Sequence, residues 1–186
     1  SFGDLSICSF YATKMLAAGE GGMVLTDRQD LAAAVRELRE YDGAPASKLR
    51  FNCKMTDMAA ALGRIQLGRL PEFVARRRAL AARYDEAFAG TGVETPLDSP
   101  GHIYYRYVVK SHLAPGELIA RLEGEGVAAR QPVYNPLHRE IGRPDSAYPG
   151  ATAAHTADVS LPLYPALDAG EVQKVIGAVR TVATND

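Results

Sequence analysis

The sequence lacks the marks of several protein classes. It has two cysteines, Cys8 and Cys53, far apart and without a CxxC pair. A disulfide framework is therefore not expected, and each reads as a small core residue in a reducing cytoplasm. The four histidines, His102, His112, His138 and His155, form no i, i+4 pair, and no cysteine cluster supports them, so metal catalysis has no visible basis. No apolar run approaches the roughly 20 residues of a membrane span. The opening SFGDLSICSF carries Asp4 and no basic leader, and is not expected to act as a signal peptide. Neither charge sign dominates: 21 Lys and Arg face 22 Asp and Glu, for a net charge of −1. That balance removes the electrostatic case for nucleic acid or an anionic membrane. There is no internal repeat or low-complexity tract.

What is present is ordinary globular material. Of 186 residues, 47% are hydrophobic and 23% charged, which excludes disordered, collagen-like and coiled-coil classes. A chain of this length buries roughly 70% of its unfolded surface, enough for one sizeable core or two small ones. Residues 4–11 and 22–26 read as short strands around a glycine-rich loop, KMLAAGEGG. Asp27 is placed to cap a helix to about residue 40, with Leu31, Val35 and Leu38 on one face. Residues 42–55 lack periodicity and form a long loop, a functional candidate by length. A helix follows from Thr56 to about Phe88, with Met58, Leu62, Ile65, Phe73, Leu80 and Tyr84 as core candidates and a kink or restart expected at Pro71. The Gly- and Pro-rich stretch 90–103 is the best domain boundary. Beyond it come a strand over 104–109, a helix opened by Pro115, a short strand over 127–130 and a Pro- and Tyr-rich loop to about 150. A brief helix, a strand within 159–165 and a final helix complete the chain. Asp168 and Glu171 cap that last helix, which turns Val172, Val175, Ile176 and Val179 inward. This C-terminal part reads as compact α+β.

Few residues stand out for chemistry. Lys14, one of only 5 lysines, ends a strand-to-loop segment beside a glycine-rich turn, where an amine can be held near a ligand. It would act as nucleophile or base only with its pKa brought down from about 10.4 or through Schiff-base formation; a surface lysine in a turn is the commoner case. Ser9, five residues earlier, offers a hydroxyl to an anion, or simply bonds backbone. The GEGG turn at 19–22 fits neither a dinucleotide fingerprint nor a Walker A loop. Asn52 offers an amide from the long loop, although most loop asparagines only organise turns. Arg76, Arg77 and Arg78 splay over different helix faces, so a solvated surface is expected first and an interface second. Arg130, Tyr134 and His138, in ARQPVYNPLH, could grip a polar ligand or merely cap a loop.

Taken together, CSFYATKMLAAGEGGMVLTD, RELREYDG, RFNCKMTDMAAALGRIQLGRL, YYRYVV, ARQPVYNPLH and VSLPLYPAL resemble the DegT/StrS-type aminotransferases, in order and over essentially the whole chain. These are pyridoxal-phosphate (PLP) enzymes of the aspartate-aminotransferase fold that typically aminate nucleotide-linked keto-sugars. The resemblance implies an α/β chain: residues 1–90 would be part of a fold-type I large domain with a long helical linker, and 91–186 a small C-terminal α+β domain. Lys14 matches the Schiff-base lysine and Ser9 a serine that binds the cofactor phosphate. Asn52 matches an asparagine that reaches the phosphate of the neighbouring subunit's PLP, which implies a homodimer. Arg130, Tyr134 and His138 match a substrate-side stretch loosely. Lys54 stands where the family more often has arginine.

The implied reaction takes an amino group, usually from L-glutamate, and places it on a ketone, with the freed Lys14 amine moving the proton of the donor's α-carbon. In the family, an aspartate on the pyridine nitrogen, a ring-stacking aromatic and a Gly-Thr phosphate loop precede the segment where this chain opens. The N-terminal half of the large domain is thus expected to be missing, and the isolated chain to turn over weakly or not at all. A related PLP sugar dehydratase carries histidine in place of the lysine, so Lys14 argues against it. A non-catalytic remnant, or half of a split enzyme that needs a partner chain, is the alternative from a different class.

Overall fold

The computed structural model describes residues 3–42 and 48–184; residues 43–47, within the expected long loop, lie outside the described residues. The chain divides into two compact units between Glu72 and Phe73. The division falls inside one helix, α2 (Asp57–Phe88).

The first unit is built on a hairpin. Strands β1 (Ser6–Ser9) and β2 (Gly22–Leu25) pair antiparallel, with Ser6 opposite Leu25 and Ser9 opposite Gly22. The turn between them needs its glycines. Gly21 has φ +126°, and a Cβ on Gly22 would sit 2.8 Å from the Cys8 carbonyl oxygen. Helix α1 (Gln29–Arg39) starts later than Asp27 would place it. Arg28 is the cap residue, and its N–H donates to Thr26 Oγ1 at 3.1 Å. Helix α2 is introduced by Thr56, whose Oγ1 accepts from Ala59 N–H at 3.2 Å. The helix runs unbroken through Pro71. The proline removes a single ladder donor, and the turns on either side carry the helix across it.

This unit has little interior. Ala18 is its one buried apolar side chain among the described residues. Met58 (83% exposed), Leu62 and Ile65 (66% exposed) were expected in a core and lie in the open instead. Their spacing makes one helix face apolar, but periodicity does not supply the surface that covers it. Cys8 and Cys53, also expected as core residues, are free and exposed. They belong to elements whose side chains find no interior in this unit.

The second unit contains the core. Leu80, Ala81, Tyr84 and Phe88, on the inner face of α2, pack with β3 (Tyr107–Val109), β4 (Val159–Leu161), α3 (Pro115–Gly124) and α6 (Ala169–Thr184). Strands β3 and β4 pair antiparallel, with Tyr107 opposite Leu161 and Val109 opposite Val159. The expected strand at 127–130 reduces to a single bridge between Arg130 and Ser160. An aromatic cluster fills the centre: the Tyr84 ring meets Tyr107 edge-on at 5.1 Å and stacks on Phe88 at 5.6 Å. Asp168 and Glu171 cap α6 reciprocally, at 2.8 and 2.9 Å. Between β3 and β4, the Pro-rich loop carries α4 (Leu137–Glu140) and α5 (Pro149–Ala157). Among the described residues no helix is long and apolar enough to cross a membrane.

Of the three consecutive arginines, Arg76 and Arg78 are exposed as expected, whereas Arg77 is buried. Each guanidinium satisfies main-chain carbonyls of the second unit: Arg76 those of Pro165 and Leu167, Arg78 those of Pro100 and His102. Arg77 is buried and serves three carbonyls, those of Tyr104, Tyr105 and Leu163. Loops without ladder partners must place their carbonyls somewhere, and a fork of guanidinium donors does so.

Candidate active site

In the first unit the loop from Phe10 to Gly21 is closed at its base by Phe10 N–H donating to the Gly21 carbonyl at 2.9 Å. Ala18 N–H donates to the Phe10 carbonyl at 2.8 Å and draws the loop in. Tyr11 then links the two candidate residues through its own main chain. Its N–H donates to Ser9 Oγ at 3.4 Å, and its carbonyl accepts from Lys14 N–H at 2.9 Å. Ser9, at the end of β1, and Lys14, in the turn that follows, are thereby held in one backbone frame. Both are exposed. A hydroxyl and an amine carried on this backbone frame suit a ligand that has an anion at one end and an electrophile at the other.

Asn52 is exposed in the extended segment before α2. That segment is fastened to the end of α1. Phe51 N–H donates to the Leu38 carbonyl at 2.8 Å, and Arg50 Nη1 donates to the carbonyls of Glu37 and Glu40 at 3.2 and 2.9 Å. Lys54 Nζ reaches Glu40 at 2.9 Å and Asp42 at 3.1 Å, and lies 4.5 Å from the Tyr41 ring centroid. Its hydrogen bonds to Glu40 and then Asp42 hold the ammonium above its usual range, and the bond from Lys54 holds Glu40 below its own. A groove of about 510 Å3 in this unit lies between β2, α1 and Phe51–Met55. It is lined by Leu25, Val35, Leu38 and Phe51 among others, and by neither Ser9, Lys14 nor Asn52.

In the second unit Arg130 is exposed, and its main chain exchanges both hydrogen bonds with Ser160, at 2.8 and 3.2 Å. Tyr134 is 96% exposed. His138 differs from both: it is buried, its Nε2 lies 2.9 Å from Asp145 Oδ1, and its ring stacks on Tyr148 at 5.0 Å. Arg139 holds the same carboxylate in a two-pronged pair, at 2.9 and 2.8 Å. Together Arg139 and then His138 keep Asp145 well below the usual carboxylate range. Arg130, Tyr134 and His138 thus share a loop without forming one cluster. The carboxylate that fixes His138 was not singled out in the sequence; its spacing from the histidine matches no local motif.

Residues 1–180 match the model of the DegT/DnrJ/EryC1/StrS aminotransferase family. The chain is 33% identical to the spore coat polysaccharide biosynthesis protein SpsC of Bacillus subtilis (strain 168), over 98% of this chain and 54% of that protein. It is 34% identical to the dTDP-4-dehydro-2,3,6-trideoxy-D-glucose 4-aminotransferase of Saccharopolyspora spinosa, over 94% of this chain and 51% of that protein. Among solved structures, the aminotransferase TlmJ from Streptoalloteichus hindustanus superposes with a TM-score of 0.88 at 35% identity, covering 96% of this chain and 52% of that one. The chain spans about half the length of the curated relatives it matches, and its fold is that of part of such an aminotransferase.

Proposed function

Because the chain belongs to the DegT/DnrJ/EryC1/StrS aminotransferase family, we propose that it is the lysine-bearing part of a PLP-dependent aminotransferase that transfers an amino group, from L-glutamate, to a nucleotide-linked keto-sugar. The observation that carries this reading is the frame around Tyr11, which ties Ser9 and Lys14 together beside a glycine-closed turn. The donor set suits PLP: an amine for its aldehyde, a hydroxyl and an amide for its phosphate. Lys14 would hold the cofactor covalently and Ser9 would donate to its phosphate. Asn52 would donate to the phosphate bound by a second subunit, in a homodimer. When bound, PLP supplies the electron sink for the pair left on the donor's α-carbon. The Lys14 Nζ, once released, would carry the proton from that carbon. Arg130, Tyr134 and His138 would lie on the substrate side, with His138 oriented by Asp145.

In this frame residues 1–90 belong to the cofactor-binding large domain and its long helix, and residues 91–186 to the small domain. The free cysteines suit a reducing compartment, and we place the reaction in the cytoplasm. The exposed apolar faces of the first unit favour a second reading as well, in which this chain works only with the remainder of the fold supplied to it.

Borohydride reduction of the protein with PLP, followed by peptide mapping, tests the assignment. A pyridoxyl group on Lys14 alone is the expected result. Labelling scattered over several lysines, or none, overturns it. Lys14→Ala should abolish the specific label.

A further inference from the structure

Asn52 does not stand on a free loop. Its segment is pinned on one side by Arg50 and the Phe51 N–H, and on the other by Lys54, all to the last turn of α1 and the two acids beyond it. The anchors differ in kind. Arg50 and Phe51 satisfy main-chain carbonyls at a helix C-terminus, where cationic donors are favoured. Lys54 bridges two carboxylates, Glu40 Oε1 at 2.9 Å and Asp42 Oδ2 at 3.1 Å. Asn52 and Cys53 are the exposed residues between these fastenings.

The geometry points to Lys54 as a positioning residue: by bridging Glu40 and Asp42 it holds the 50–54 segment in one conformation, so that Asn52 meets an anionic group without first paying to order the chain. This rests on the reading of Asn52 as a phosphate ligand. Fixing the backbone of a residue costs conformational entropy, so a segment left loose presents the same amide with lower affinity. Lys54 is already committed to two carboxylates, so it acts on the anion through Asn52. An arginine at this position, with more donors on a planar fork, would keep both carboxylate contacts.

The test compares the full chain binding PLP with the same chain binding pyridoxal, which lacks the phosphate, alongside amide exchange at Phe51. Asn52→Ala is expected to lower the preference for PLP over pyridoxal about tenfold, the scale of one hydrogen bond to a charged group. Lys54→Met should lower it by a similar factor with pyridoxal affinity unchanged, and should speed exchange at the Phe51 amide. Lys54→Arg should retain both the preference and the protection. The inference is overturned if Lys54→Met keeps the preference that Asn52→Ala loses, or if it weakens pyridoxal as much as PLP. An unchanged preference in Asn52→Ala overturns the reading of Asn52 itself, and this inference with it.

Discussion

The Nη1 of Arg77 lies 2.7 Å from the carbonyl oxygen of Leu163, and the same nitrogen reaches the carbonyls of Tyr104 and Tyr105 at 3.0 and 3.1 Å. One guanidinium on the inner face of α2 therefore joins the segment before β3 to the segment after β4. Burial pushes its pKa down, and among the described residues no carboxylate pairs with it. The charge is held by carbonyl dipoles, and its place in the fold is structural.

Removing that donor should be costly. Arg77→Met leaves three carbonyls to find new partners and is expected to destabilise the second unit by about 2–4 kcal/mol, at 1–3 kcal/mol per unsatisfied buried group with partial relaxation. The midpoint of urea unfolding followed by circular dichroism measures it. A change below about 0.5 kcal/mol would show that water replaces the guanidinium without loss.

The arginine run marks the limit of what the sequence shows. Features set by near neighbours were legible: the hairpin strands, α3 opened by Pro115, and the Asp168–Glu171 cap all follow from residues within a few positions of one another. The partners of Arg76 and Arg77 reach to Leu167 and Leu163, far along the chain, so composition gave only three charges on a helix. The apolar stripe of Met58, Leu62 and Ile65 was legible as a stripe, but its burial depends on what packs there. In the candidate site, Lys14 and Ser9 could be named from the resemblance. Their connection through the Tyr11 main chain could not, because it depends on the turn conformation.

The tyrosines of the core should make the second unit sensitive to alkali. Burial pushes the Tyr84 hydroxyl up to about 12, and Tyr107, which donates to Asp85 at 2.6 Å, is also raised by burial and then by that bond. An acid whose folded pKa exceeds its unfolded value of about 10 contributes its full stability below pH 10 and loses it as pH rises toward the folded value. For Tyr84 the loss is on the order of 2 kcal/mol. Phenolate absorbance during a pH titration should show these rings ionising only as the fold is lost. Ionisation near pH 10 with the fold intact would contradict the packing described.

The two units should also differ in local stability. With Ala18 as its one buried apolar side chain among the described residues, the first unit has little to hold it closed, whereas β3, β4 and α6 enclose a continuous core. Amide exchange at Ile7 and Val24 is expected to be at least about tenfold less protected than at Val109 and Val179. Equal protection in the isolated chain would mean that something covers the hairpin, a second copy being the first to examine by sedimentation. Protection that appears only on adding the remainder of the fold would identify that remainder as the cover.

Asp145 gives the corresponding prediction in acid. Its carboxylate is kept ionised by Arg139 and then His138, well below its usual range. A depressed carboxylate contributes its stability above its unfolded pKa of about 4, and loses it as pH falls toward the folded value. The loop carrying α4 and α5 should therefore loosen below about pH 4, seen as faster exchange of the Arg143 amide, which donates to the His138 carbonyl at 2.7 Å. Asp145→Asn keeps an acceptor for Arg139 but removes the titrating charge. Its exchange should be faster at neutral pH and nearly flat through the acid range. If Asp145→Asn shows the same acid loosening as the unsubstituted chain, another carboxylate governs that loop, and the orientation of His138 would have to be sought elsewhere.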